Sequence, residues 1–181
     1  MSATPGPAFP LADQAARDLA VAEFSRPVAL EAGAGTGKTR ALVARLATWL
    51  LGPGWESAAA ELEERRSLIG APAVELAEIA ARVAEGTVAI TFTEAAAAEM
   101  AHRLGELLGQ LASGQAAEDL KPLPALLAGL DLAERSHHLA AVLSRLRLQT
   151  IHGFCHRLLA DHPFEAGLHP TLAVDADGSA V

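Results

Sequence analysis

The chain is 181 residues long, 51% hydrophobic and 20% charged, which is enough apolar material for one domain with a hydrophobic core and excludes a disordered polymer. Its 22 Asp and Glu against 14 Lys and Arg give a formal net charge of −8, so a generally basic nucleic-acid coat is excluded while a local basic patch is not. The single cysteine, Cys155, excludes an internal disulfide and suits a reducing cytoplasm. No apolar run reaches the ~18 residues of a membrane span. The opening MSATPGPAFP lacks a signal peptide's basic and apolar regions, so a cytoplasmic location with no membrane partner is expected.

Residues 1–10 hold three prolines without periodicity and read as a flexible lead-in. In residues 11–24, Leu11, Ala15, Leu19 and Ala22 recur at helical spacing. Pro27 then opens the apolar run Val28-Ala29-Leu30, which predicts a buried strand. A glycine-rich turn over residues 32–39 leads into a helix whose Leu42, Val43, Leu46, Trp49 and Leu50 share a face, stopped by Gly52-Pro53-Gly54.

Residues 56–85 predict two helices, with Glu61 placed four before Arg65 for helical pairing and Leu76, Ala80 and Val83 on one side of the second. The run TVAITFT, residues 87–93, is rich in β-branched residues and predicts a buried strand. Met100, Leu104, Leu107, Leu108 and Leu111 mark an amphipathic helix ending at Ser113-Gly114, and the alanines before it are helix formers. After Pro122 and Pro124, Leu132, Leu139, Val142, Leu143 and Leu146 predict a further helix and residues 147–151 a third strand. A helix with Phe154, Leu158 and Leu159 then runs to Pro163, and residues 172–174 offer one more strand. Strands alternating with helices predict a parallel sheet covered on both faces.

Residues 32–39 read AGAGTGKT, the phosphate-binding loop pattern with Ala32 in place of the first glycine. Gly33, Gly35 and Gly37 let successive backbone N–H groups point into one concavity, and the following helix adds its positive end. Lys38 supplies a point charge for β- and γ-phosphates, and the Thr39 hydroxyl can ligate Mg²⁺. The plainer reading is a glycine-rich loop that turns a corner, but the apolar run before it and the amphipathic helix after it favour nucleotide binding. The chain has only two lysines, Lys38 and Lys121, which makes one at this position conspicuous.

With its trailing arginine, AGAGTGKTR resembles motif I of the UvrD/Rep-type superfamily 1 DNA helicases. Leu11-Ala12-Asp13-Gln14 lies upstream at the distance of that family's Q motif; ITFTEAAAAEM, residues 90–100, resembles motif Ia; TIHGFC, residues 150–155, resembles motif Ib, continued by HRLLADHPFEAG. These four motifs in order cover residues 11 to about 172, nearly the whole chain. Their TFTEAA and IHGFC forms resemble the RecB/AddA branch, motor subunits of recombination helicase–nucleases. The resemblance implies an α/β fold, a P-loop NTPase (RecA-like) parallel sheet flanked by helices. It also implies an incomplete domain, residues 11–181 being the N-terminal part of the helicase ATP-binding domain, truncated before the acidic Walker B motif. Implied with it are an ATP-dependent DNA helicase, recombination and double-strand break repair, and a nuclease or helicase partner subunit.

The same resemblance assigns roles to residues. ATP and Mg²⁺ are the implied cofactors, held by Gln14, Ala32, Gly33, Ala34, Gly35, Thr36, Gly37, Lys38, Thr39 and Arg40, with Lys38 and Thr39 catalytic and Thr39 on Mg²⁺. Gln14 offers the amide donor and carbonyl acceptor that match an adenine edge, although read alone it also fits an exposed helix glutamine. Arg40 can stack or pair near the nucleotide, or lie on the surface. Single-stranded DNA is the implied partner of Thr91, Phe92, Thr93, Thr150, His152 and Phe154. Phe92 would be a base-stacking platform; from the residues alone, core packing serves equally well. Strand threonines such as Thr91 and Thr93 are common without any phosphate contact. Many members of the family carry a lysine in motif Ia where this chain has Ala95.

His152, Cys155, His156 and His162 suggest a metal site, but zinc sites usually need a second ligand pair and none exists; Cys155 is read instead as a small buried residue. His137-His138 is read as a solvated helix face. No apolar run is followed by the Asp-Glu pair that holds Mg²⁺ and activates water. Leu172-Ala173-Val174-Asp175 lacks the Glu, and residues 126–131 sit between prolines and a helical pattern. The chain alone is therefore expected to hydrolyse ATP poorly and not to unwind DNA. Two rival readings are a small phosphate-loop kinase, which leaves the motif Ia and Ib segments without a use, and a non-catalytic nucleotide-binding fragment.

Overall fold

In the computed structural model, residues 14–31, 33, 35, 37–117, 120 and 124–169 are described. They form α1 (Gln14–Ala22), α2 (Lys38–Leu51), α3 (Pro53–Ile69), α4 (Leu76–Glu85), β1 (Val88–Thr91), α5 (Glu94–Ala112), α6 (Leu132–Ala141), β2 (Arg147–Thr150) and α7 (Ile151–Asp161). Short 3₁₀ turns occupy Ala125–Leu127 and Leu143–Arg145. The lead-in at residues 1–10 and the strand expected at 172–174 lie outside the described residues.

Helix α2 is the centre of the packing. Val43, Ala47, Leu50 and Leu51 are fully or almost fully buried, because α1, α3, α4, α5 and α6 all lie against it. Its apolar stripe meets Leu104, Leu107 and Leu108 of α5, Ile79 and Val83 of α4, and Leu139 of α6 in one core. The Gly52-Pro53-Gly54 stop is tighter than a loop: α2 ends at Leu51 and Pro53 already occupies the first turn of α3. A Cβ on Gly54 would lie 2.7 Å from the Trp49 ring, so only glycine permits this corner.

Arginines tie the helices together. Arg135 of α6 donates to the Leu51 carbonyl at the C-terminus of α2 (2.7 Å), pairs with Glu56 (2.6 Å) and lies 5.1 Å over the buried Trp55 ring. Arg66 donates to the Pro72 and Ala73 carbonyls, both at 2.7 Å, and pairs with Glu78, fixing the α3–α4 turn. Glu78 also accepts from the Glu75 N–H in a capping box that starts α4. The Glu61–Arg65 pair is loose at 3.9 Å, whereas Glu61 meets Arg82 of α4 at 2.7 Å; the helix-to-helix partner wins because it is fixed by packing. After α1, the Ser25 hydroxyl and backbone N–H both donate to Glu23, holding that carboxyl below its ordinary range.

The sheet consists of β1 and β2 in parallel, with Val88 opposite Arg147 and Thr91 opposite Thr150. The Trp49 indole donates to the Thr87 hydroxyl (3.1 Å), which donates to the Val83 carbonyl (2.7 Å), anchoring the start of β1 to α2 and α4. Ala89 and Leu148 face α5 and the core. This is a helix-rich α/β arrangement consistent with an incomplete RecA-like domain.

Four expectations are corrected. Residues 28–30 form no strand, and Leu30 is exposed; parallel pairing needs a ladder partner, and the described ladder joins only β1 and β2. Among the described residues the sheet is buried on one face, while Val88 and Ile90 on the other stay exposed. Cys155 is exposed, because α7 buries no residue. The helix expected to continue to Leu146 ends at Ala141, where a 3₁₀ turn redirects the chain into β2.

The Arg135 clamp carries measurable stability. Truncation by Arg135→Ala strands the Glu56 carboxylate and the Leu51 carbonyl, and lowers the unfolding free energy by about 2 kcal/mol. Urea denaturation of the two proteins measures this difference, and Arg135→Lys recovers less than half because it lacks the planar fork.

Candidate functional site

The loop between Glu31 and α2 turns through left-handed backbone: Gly35 has φ 74° and Gly37 has φ 88°. Side chains rarely tolerate this region, which accounts for glycine at both positions. Gly37 is the N-cap of α2, yet no side chain caps the helix and its first turn carries no acid. The loop thus leads into the positive end of α2, whose first turn carries no acid, a setting that fits an anion such as a phosphate. Lys38 and Thr39 are exposed on that first turn, as is Arg40. The Lys38 ammonium donates to the Gly33 carbonyl at 3.1 Å, folding the lysine back across the loop. Ala32, Ala34 and Thr36 lie outside the described residues.

Helix α1 flanks this loop. Gln14 is half-buried and its amide donates to Asp18 at 2.7 Å. One turn further, the Arg17 guanidinium reaches α2: its Nη1 lies 3.5 Å from where a Cβ on Gly37 would stand. Sequence reasoning passed over Arg17, whose position four residues after Asp13 carries no motif; the signal lay in its sharing a helix face with buried Ala20.

The second group of residues gathers at the C-terminal ends of the strands. The register sets Thr91 beside Thr150, bringing the two segments together as expected. Both flanking threonines are N-caps: the Thr93 hydroxyl accepts from the Ala96 N–H (3.1 Å) at the start of α5, and the Thr150 hydroxyl from the Gly153 N–H (3.2 Å) at the start of α7. Thr91 donates to the Thr93 carbonyl at 2.9 Å. Phe92, between them, is 92% exposed, which rules out the core-packing alternative. His152 is exposed and Phe154 half-buried. Helix α5, capped by Thr93, packs on α2 and so links the strand ends to the loop.

Among the described residues, no three His, Cys, Asp or Glu side chains come together to hold a metal ion. His137 is exposed, and its ring meets that of His138 edge-on at 5.7 Å.

A left-handed glycine loop leading into a helix N-terminus, in a fold that also carries a parallel strand pair, is consistent with an incomplete RecA-like domain. The model of the UvrD/REP helicase N-terminal domain matches residues 13–179, and the chain belongs to that family. Members of the family are ATP-dependent DNA helicases that use ATP and Mg²⁺. Neither a curated protein nor a solved structure matches the chain. Among the described residues, no helix is long and apolar enough to cross a membrane.

The caps and the exposed ring separate structural from surface roles. Thr93→Ala and Thr150→Ala each lower stability by about 1 kcal/mol, while Phe92→Ala changes it by less than ~0.5 kcal/mol. Chemical denaturation of the three variants measures these shifts.

Proposed function

We propose that this chain is the ATP-binding N-terminal portion, residues 11–181, of a RecB/AddA-like DNA helicase motor that acts in cytoplasmic DNA recombination and double-strand break repair. The uncapped N-terminus of α2, with Lys38 folded onto the loop carbonyl of Gly33, carries the reading. In it, the backbone N–H groups of Gly33, Ala34, Gly35, Thr36 and Gly37 hold phosphate oxygens, following Ala32. Lys38 leaves the Gly33 carbonyl to neutralise the β- and γ-phosphates. Thr39, on the first turn of α2, offers its hydroxyl to Mg²⁺, and Arg40 steadies the nucleotide from the same turn. Gln14 turns from Asp18 to read the adenine edge, which favours ATP over GTP.

Hydrolysis of ATP supplies the free energy for movement along DNA in the whole motor. The strand-end residues supply the grip. Phe92 stacks a base, and Thr91, Thr93, Thr150, His152 and Phe154 line the track of a single strand. The RecB/AddA likeness rests on the TFTEAA and IHGFC segments, and a nuclease or helicase subunit is the partner it supports. The chain has no apolar run ending in Asp-Glu, so it holds nucleotide while turning it over poorly.

Calorimetric titration tests the loop: Lys38→Ala weakens ATP binding about tenfold or more, and equal affinity of the two proteins would remove Lys38 from the site. Fluorescence anisotropy with a single-stranded oligonucleotide tests the track. Phe92→Ala weakens that binding by ~1–3 kcal/mol, and unchanged affinity would remove Phe92 from it.

A further inference from the structure

We infer that Trp49 and Thr87 form a register peg that positions the strand ends of the candidate DNA track; the inference rests on the DNA-binding reading above. Every polar group of Thr87 is engaged. Its hydroxyl accepts from the Trp49 indole (3.1 Å) and donates to the Val83 carbonyl (2.7 Å). Its N–H donates to the Ala84 carbonyl (3.2 Å), and its carbonyl accepts from the Arg147 N–H (3.4 Å). One buried residue thus joins α2, α4 and the start of the β1–β2 ladder.

The ladder has few other means of fixing its register. Each strand is four residues long, and successive side chains face opposite ways, so a slip of one residue exchanges the faces. The one buried residue of β1 is Ala89, whose small side chain marks position weakly, and Val88 and Ile90 are exposed. The anchor is held firmly by contrast. The Trp49 ring meets Phe24 with centroids 5.3 Å apart, and α3 passes so close that a Cβ on Gly54 would lie 2.7 Å from the indole.

The far end of β1 depends on this anchor. Thr87 directly precedes β1 and Phe92 directly follows it, so a one-residue slip at Thr87 moves Phe92 by about 3.3 Å against β2. The observed register sets Thr91 beside Thr150, which brings Phe92 to the helix starts that Thr93 and Thr150 cap. A slipped strand would part those partners. Trp49 and Thr87 therefore act through the backbone of β1 and do not themselves touch DNA.

The test compares wild type, Trp49→Phe, Thr87→Val, Thr87→Ser, the Trp49→Phe/Thr87→Val double variant and Phe92→Ala, after circular dichroism and thermal melts confirm folding. Fluorescence anisotropy with a labelled single-stranded oligonucleotide reads the track, and calorimetric titration with ATP reads the loop. Trp49→Phe keeps a ring against Phe24 and removes the donor, while Thr87→Val keeps the shape and removes the hydroxyl. Each is expected to weaken DNA binding about fivefold and ATP binding less than about twofold. The double variant is expected to match the single ones, because all three break the Trp49–Thr87 bond. Thr87→Ser keeps the hydroxyl and is expected to stay within about twofold of wild type, a rescue that packing alone would not give. DNA affinity unchanged in Trp49→Phe and Thr87→Val while Phe92→Ala loses it would overturn the peg and leave the DNA reading standing. Equal losses for DNA and ATP would make the pair a packing contact of the core. Absence of oligonucleotide binding by wild type would overturn the DNA reading and the peg together.

Discussion

One helix answers two opposing demands. Along most of its length α2 must be dry, since Val43, Ala47, Leu50 and Leu51 are where five other helices meet. At its first turn it must be wet, because Gly37 leaves its leading N–H groups without a side-chain cap. Burying those donors unpaired would cost several kcal/mol, so the core stops short of Lys38. The far end is treated oppositely: the Leu51 carbonyl is covered by Arg135, whose charge complements the negative end of the helix. The helix is thus anchored at its C-terminus by a side chain and starts at its N-terminus from a glycine that supplies none. This polarity is what a site for anions requires.

The strand ends show how structural and functional assignments share residues. Thr93 and Thr150 start α5 and α7 by capping them, whatever else their hydroxyls touch. A capping hydroxyl fixes the backbone around it, so the segment holding Phe92 is set between a paired strand and a capped helix. A large apolar ring kept in water by such a rigid frame is unlike the scattered apolar residues of an ordinary surface. The frame explains why Phe92 stays out: β1 has ended before it, and α5 begins two residues later.

The sequence made some levels of this structure legible and hid others. Helices α2 and α5 were readable because their apolar residues recur with period 3.6 and the stops at Gly52 and Ser113-Gly114 are unambiguous. Strand β1 was readable from its β-branched residues and short length, and β2 was placed at 147–151, although Thr93 and Ile151 turned out to belong to helix starts. The run Val28-Ala29-Leu30 has the composition of a strand, but composition cannot provide the neighbour a strand must pair with. Cys155, expected as a small buried residue, is exposed because α7 meets β1 and β2 without burying any of its own residues. The loop glycines were legible as glycines. The docking of α1 on α2 was not, because it is a tertiary fact with no local signature. Likewise Glu61 had an in-helix partner in sequence, and found its closer one, Arg82, across the α3–α4 interface.

The Phe24–Trp49 contact has an optical consequence. The chain contains two tryptophans and no tyrosine, so its intrinsic emission comes from Trp49 and Trp55 alone. Trp55 is sealed in the core, whereas Trp49 joins α2 to the ring of Phe24 just past α1 and to the hydroxyl that starts β1. Any shift of α1 relative to the loop is therefore written directly into the environment of one indole. The molecule carries its own spectroscopic probe at the seam between α1 and α2.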